Sequence, residues 1–169
     1  DVEILNFGWR SINCIEAGAN SEGVNSLNRK NVISQVEEVV RLNKSKKIVV
    51  FFHWNYELEL YPQPYERDLA HKLIDTGVSV IVGCHSHRVQ GFEIYKNKPI
   101  IYGLGNFIFC QNKFWGSRLS YPDFCSEQFC VEINFKKDIF TCHWLVYEKN
   151  KNMVRYVKSE NIKKSTRLN

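Results

Sequence analysis

Three of the five histidines stand where an apolar run gives out. His85 and His87 follow Val78-Ser79-Val80-Ile81-Val82 and the step Gly83-Cys84, and His53 closes the run Lys47-Ile48-Val49-Val50-Phe51-Phe52. Short runs rich in β-branched residues and bounded by glycine read as buried strands. Two imidazoles one residue apart would point to opposite faces of an extended strand, but in a loop just past it both can converge on one point. Neutral imidazole suits Mn, Fe and Zn better than Ca or Mg. The chemistry to expect is metal or phosphate binding, and two nearby ions would activate water and stabilise the leaving oxygen of a phosphoester.

Other side chains qualify as helpers. Glu57 lies four residues past His53 and Glu93 six past His87; both could orient imidazoles or touch substrate, the alternative being plain surface carboxylates. Arg88 offers a fork for phosphate or carboxylate, or a surface role. Gly103-Leu104-Gly105-Asn106 lacks the third glycine and following helix of a dinucleotide fingerprint and is better suited to bringing backbone close to the site. His71, between Ala70 and Lys72, is expected at the surface, and His143, in a late strand, is expected to be structural. The candidate set is His53, His85 and Glu57 for catalysis, His53, His85 and His87 as metal ligands, and Arg88, Asn106 and Glu93 for substrate.

The elements that must hold these residues follow from periodicity. Residues 2–7 alternate as a strand, and 8–28 are rich in Gly, Asn and Ser and read as loop. Asn28 or Asn31 can cap a helix reaching about Asn43, whose Val32, Ile33, Val36, Val39 and Val40 share one face. Strand 47–53 is apolar on both faces, as in a sheet covered on both sides. Pro64 suits the first turn of a second helix, which carries Leu69, Ala70, Leu73 and Ile74 and stops at Gly77. Strand 78–82 completes a β-α-β-α-β succession, hence an α/β fold with parallel strands and right-handed crossovers. Ligands of such sheets gather beyond the carboxyl ends of the strands, where all three histidines fall. Two antiparallel hairpins are expected next, 89–95 with 99–102 and 129–135 with 139–147, separated by a loop at 111–126; residues 153–157 are a candidate extra strand.

A length of 169 residues, 44% of them hydrophobic, suffices for one domain with a core of its own. The net charge of +5 belongs to residues 148–169, where seven basic residues face two acidic ones; residues 1–147 balance. This basic tail beyond a domain at 1–147 is expected to be solvated and frayed rather than a binding arm. No basic face interleaved with aromatics accompanies it, which argues against nucleic acid. Six cysteines form no C-x-x-C pair, although Cys125 and Cys130 stand close enough in sequence to bridge. No run approaches the roughly 18 apolar residues of a membrane span, so contact with a membrane would come only through a segment outside this chain. Envelope-associated and cytoplasmic locations both stay open.

Several stretches together resemble the bacterial capsule synthesis proteins of the CapA, or poly-γ-glutamate capsule, family. They are His53-Trp54-Asn55-Tyr56-Glu57, then Gly83-Cys84-His85-Ser86-His87 with Gln90 and Glu93, then Tyr102-Gly103-Leu104-Gly105-Asn106-Phe107-Ile108-Phe109. The family's usual text is H-W-G-x-E-Y, G-x-H-x-H-x-x-Q-x-x-E and Y-S-L-G-N-F, so Asn55 replaces a glycine and Gly103 a serine. The resemblance covers roughly residues 24–110. It implies a calcineurin-like metallophosphoesterase fold, a four-layer α/β/β/α sandwich with a dinuclear centre of Mn, Fe or Zn. By that analogy His53 and His85 would bind one metal and His87 the other.

The same analogy implies further ligands from an upstream half: an Asp near a first strand, a bridging acid and an Asn-His pair. The chain begins with Asp1, within two residues of a strand, and reads as the carboxyl-terminal part of such a domain. The expected partners are an anionic polymer or phosphoester substrate, together with the upstream half, a companion chain or a second copy that covers exposed strand edges. The enzyme reading and that of a non-catalytic scaffold for envelope polymer synthesis both follow.

Overall fold

The computed structural model describes residues 1–108, 113–114, 117–118 and 120–162. Phe109, Cys110 and the basic residues Lys163, Lys164 and Arg167 lie outside the described residues. The chain begins β1 (Val2–Gly8), α1 (Arg29–Leu42), β2 (Lys47–His53), α2 (Pro64–Thr76) and β3 (Val80–Cys84), the expected alternation. The antiparallel hairpin β4 (Val89–Tyr95) and β5 (Lys98–Leu104) follows, then a two-stranded ribbon β6 (Lys113–Phe114) and β7 (Ser117–Arg118). Strands β8 (Glu127–Asn134), β9 (Ile139–Glu148) and β10 (Met153–Asn161) close the chain.

Local chemistry sets the helix limits. Asn28 caps α1 by accepting from the backbone N–H groups of Lys30 and Asn31. Gln63 and Glu66 form a reciprocal box at the start of α2, with Pro64 as the first helical residue, and Gly77 ends it at φ +129°. The β4–β5 turn has Lys96 at φ 48° and Asn97 at φ 62°, the paired left-handed residues that a tight hairpin of native twist requires.

Strands β1, β2, β3 and β5 run parallel in that order, and β4 joins the far edge antiparallel. Alternation along each strand divides the core in two. Ile48, Val50, Phe52, Ile81, Ile100 and Tyr102 face the helices and meet Val32, Val36, Leu69 and Leu73. Val49, Val80, Val82 and Ile101 face the other way, onto Phe129, Phe140, Cys142 and Ile162. Among the described residues the layers are therefore helices, five-stranded sheet and three-stranded sheet. β1 is an edge strand, and Val2 and Ile4 on it are about half exposed.

Two expectations change, and one open question closes. The third strand is shifted two residues onward, because Val78 N–H turns back to Leu73 O while Gly83 and Cys84 pair with Phe52 and His53. The basic segment is not frayed as far as residue 162: β10 pairs with β9, and Ile162 is wholly buried. There Arg155 and Lys151 bind the Glu148 carboxylate at 2.6 and 2.7 Å, and Lys158 pairs with Glu160. Cys125 and Cys130 are both free, so no bridge joins them.

Glu66 gives the fold a pH dependence. The residue is 2% exposed, and burial, only partly offset by the Gln63 N–H, raises its carboxyl from 4.5 to about 7. A folded pKa above the unfolded one means that the native state holds the extra proton. Stability is therefore undiminished below pH 4.5, falls as pH rises from there to about 7, and stays lower above it. Glu66→Gln keeps an acceptor for the cap and removes the charge. Thermal unfolding should show the variant more stable than wild type at pH 8, by on the order of 2 kcal/mol, with the gain vanishing near pH 4.5; an equal gain at both pH values would contradict this origin.

Candidate functional site

His53 is the last residue of β2 and pairs in register with Cys84, the last of β3. His85 and His87 follow at once, in left-handed backbone at φ 100° and 56°. Such conformations are costly for side chains larger than glycine and persist only where the surroundings hold them. Buried Ser86 between them is fixed by its hydroxyl, which donates to Arg88 O at 2.8 Å. The two turns of backbone bring the imidazoles together: the His53 and His85 ring centres are 4.7 Å apart, those of His85 and His87 5.7 Å.

The loop after β2 is clamped onto this segment. Trp54 N–H donates to Cys84 O at 3.1 Å and Leu58 N–H to Ser86 O at 2.8 Å. Returning bonds run from Arg88 to Leu58 O at 3.1 Å and from Gln90 to Glu59 O at 3.1 Å. Asn55, buried and at φ 72°, donates to Gln90 Oε1 at 2.8 Å and Tyr102 O at 3.3 Å. Asparagine tolerates the left-handed region better than most residues, which accounts for its standing where the family text has glycine. The clamp delivers Glu57, whose Oε1 is 3.8 Å from His87 Nε2. Donor atoms of Glu57, His85 and His87 all lie within 4.8 Å of one another.

His87 is oriented from behind: its Nδ1 and Asn106 Oδ1 are 2.7 Å apart, and Asn106 Nδ2 donates to His87 O at 3.2 Å. Tyr121 stacks on its ring at 4.6 Å. Desolvation, then the neighbouring His53 and His87, pull the His85 pKa down to about 4. Desolvation and His87 lower that of His53 as well. Both imidazoles are thus neutral near pH 7 and have a lone pair to give.

The structure therefore gathers His53, Glu57, His85, His87 and Asn106. Arg88 stands beside them with its guanidinium turned to Leu58 O and the Phe124 ring, 4.3 Å away. Glu93 stands apart on the helix side of β4, where it binds Arg67 at 2.8 Å and Tyr102 Oη and His71 at 2.5 Å each. That corrects the placement of Glu93 beside the histidines and of His71 at the surface: His71 is half-buried and stacks on Tyr95 at 4.0 Å. His143, bonded to Ser159 at 2.7 Å within the second sheet, keeps a structural place. Reading by sequence overlooked Trp54, Asn55, Gln90 and Tyr121 as supports; Asn55 and Gln90 sit in the recognisable motifs, whereas nothing marks Tyr121.

Gly83 makes the arrangement fit. A Cβ there would stand 2.1 Å from Trp54 Nε1 and 2.2 Å from Tyr102 O. At Gly103 a Cβ would meet Ser86 Oγ at 2.6 Å, so the space the family's serine would take is filled by the Ser86 side chain.

Comparison with known proteins agrees with these motifs. The family model described as "Bacterial capsule synthesis protein PGA_cap" matches residues 7–111. The chain is 44% identical over 64 residues to "Capsule biosynthesis protein CapA" of Bacillus anthracis, covering 38% of this chain and 16% of that protein. It is 41% identical over 64 residues to "PGA biosynthesis protein CapA" of Bacillus subtilis, covering 38% and 17%. A "Probable polyglutamine synthesis accessory protein" of Mycobacterium tuberculosis is 37% identical over 60 residues, covering 36% and 16%. The matched segments thus span about a sixth of these relatives' length.

Gly83→Ala should unfold this corner first. Overpacking against an indole and a backbone carbonyl predicts a loss of about 3 kcal/mol, read as a melting temperature lower by roughly 6–12 °C. A drop under about 2 °C would mean that the strands part freely here.

Proposed function

The chain belongs to the bacterial capsule synthesis protein family, and on that premise we propose that it carries a divalent-metal site of metallophosphoesterase type serving synthesis of an anionic envelope polymer such as poly-γ-glutamate. The observation that carries the reading is the convergence of Glu57, His85 and His87 donor atoms within 4.8 Å. Two imidazoles and a carboxylate fit Mn, Fe or Zn. Asn106 fixes the His87 ring from its far side, the support that ligating histidines usually have. A metal held there would supply Lewis acidity toward a phosphoryl oxygen and a water of lowered pKa. The chain's own contribution is to keep His85 unprotonated, hold Glu57 through the 54–59 clamp and leave His53 beside the cluster.

In this reading the three layers seen belong to the four-layer sandwich of metallophosphoesterases, with the remaining layer and ligands supplied by the upstream half, a companion chain or a second copy. His53 and His85 would serve one ion and His87 the other. No helix among the described residues is long and apolar enough to cross a membrane, and an envelope-associated role is proposed from the relatives' names alone.

A second reading is favoured by the donor count. Among the described residues the ligand atoms form one group of three, enough for one ion. A scaffold that retains a structural metal accounts for that equally well.

Equilibrium dialysis against Zn or Mn separates the readings. Wild type should retain metal, His85→Ala with His87→Ala should lose it, and Asn106→Leu should weaken binding about 10- to 100-fold. Unchanged metal content in the double variant would sink the site. Retained metal without hydrolysis of phosphomonoester and phosphodiester substrates would favour the scaffold.

A further inference from the structure

A cavity of about 470 Å³ opens where Leu60 and Tyr61 of the loop after β2 meet the first residues of β4 and β8. None of the three clustered metal donors lines it. Its size falls within the range of small-molecule sites, about 300–1,000 Å³. The β4–β5 register breaks on both sides of Gly91, at φ 81°, and this bulge lies in the cavity wall. The walls are rich in rings: Phe129 meets Trp144 edge-on at 4.2 Å and stands 6.2 Å from Phe92. Phe124, about half exposed, covers one side from beneath the Arg88 guanidinium at 4.3 Å.

Two lining side chains carry buried donors that meet no acceptor among the described residues: Arg88 through Nε and Trp144 through Nε1. Buried donors are rarely left so, and each calls for an explanation. Charge in the wall is uneven. Lys158, over the Trp144 ring at 5.2 Å, is paired with Glu160. The Arg88 guanidinium instead bonds a neutral carbonyl, Leu58 O, and among the described residues no carboxylate pairs with it. Glu127, the other acid of the wall, is exposed, where solvent screens its charge.

We propose that this cavity is a binding site for a small arylalkanoate, a carboxylate on a short chain ending in a ring. The ring packs against Phe92, Phe129 and Trp144, and the carboxylate accepts from the Arg88 guanidinium and the Trp144 indole. One ligand thus supplies acceptors for both unmet donors and a counter-charge for the unpaired cation, bonds that are strong when the donor is ionised. The site uses none of Glu57, His85 and His87, so it goes beyond the metal-site reading and does not depend on it.

The two donors are themselves the reporters. The full chain, labelled with nitrogen-15, is titrated with 4-phenylbutyrate while the Trp144 indole and Arg88 Nε–H resonances are followed, each identified by its loss in Trp144→Phe or Arg88→Met. Both should shift saturably, with a Kd on the order of 1 mM for a ligand of this size. 4-Phenylbutyramide, the same body with a neutral head, should bind about tenfold more weakly. Trp144→Phe keeps a ring and removes the N–H, and should weaken 4-phenylbutyrate about fivefold. Arg88→Met should bind acid and amide alike; should that variant fail to fold, Trp144→Phe read at Arg88 Nε–H decides. No saturable shift up to about 20 mM overturns the site, equal binding of acid and amide by wild type overturns the carboxylate, and unchanged affinity in Trp144→Phe overturns the role of the indole. Each of these failures leaves the Glu57–His85–His87 reading standing, since metal retention is measured separately.

Discussion

The carbonyl of Tyr102 is the point on which the site depends. It accepts from the Trp54 indole at 3.0 Å and from the Asn55 amide at 3.3 Å. Those two residues follow His53 directly, so one acceptor on β5 fixes how the chain leaves β2. The indole crosses β3 to reach it and is wholly buried, stacked on Phe52 at 4.3 Å. Only a residue without Cβ at 83 leaves room for that passage. An unmet indole N–H at this depth would carry the desolvation cost of a buried donor, about 1–3 kcal/mol, so the hydrogen bond and the glycine stand or fall together.

From this anchor the strain at the histidines becomes intelligible. His85 and His87 occupy left-handed backbone, and Asn55 and Leu58 opposite them do the same. Four non-glycine residues in that region within two short loops would not persist alone. They are held by bonds running both ways between the loops: Leu58 to Ser86, Arg88 to Leu58 and Gln90 to Glu59. Arg88 therefore acts on the site through backbone, whatever else its guanidinium meets. The strain aims both imidazoles at one point, where a regular strand would have sent them to opposite faces.

Much of this was legible in the sequence. Apolar runs marked the strands, Asn28 and Pro64 marked the helix starts, and three histidines at strand ends marked the candidate site. What escaped was tertiary. Glu93 occupies a place in the family text that suggests proximity to His87, yet it sits on a strand that carries its side chain to the helix face, where Arg67, His71 and Tyr102 hold it. The pattern fixes sequence distance, and the pleat decides the side. The strand at 80–84 was displaced for a similar reason: Val78 is apolar enough for a strand, but its N–H closes the end of α2. The charge of the final segment misled because residues 153–161 form β10 against β9, with basic side chains held in pairs such as Arg155 with Glu148.

The donor set bears on how much of a dinuclear centre these residues can build. Glu57 is the carboxylate of the cluster and lies on an exposed loop, with its side chain 55% accessible. A bridging carboxylate between two cations works by being buried and hydrogen-bonded, since an exposed one gives much of its attraction to solvent. Glu57 so placed serves one ion better than two. The imidazole of His53 stands beside this cluster, its ring centre 4.7 Å from that of His85. A second cation near His53 would therefore need acids from outside this cluster to balance its charge.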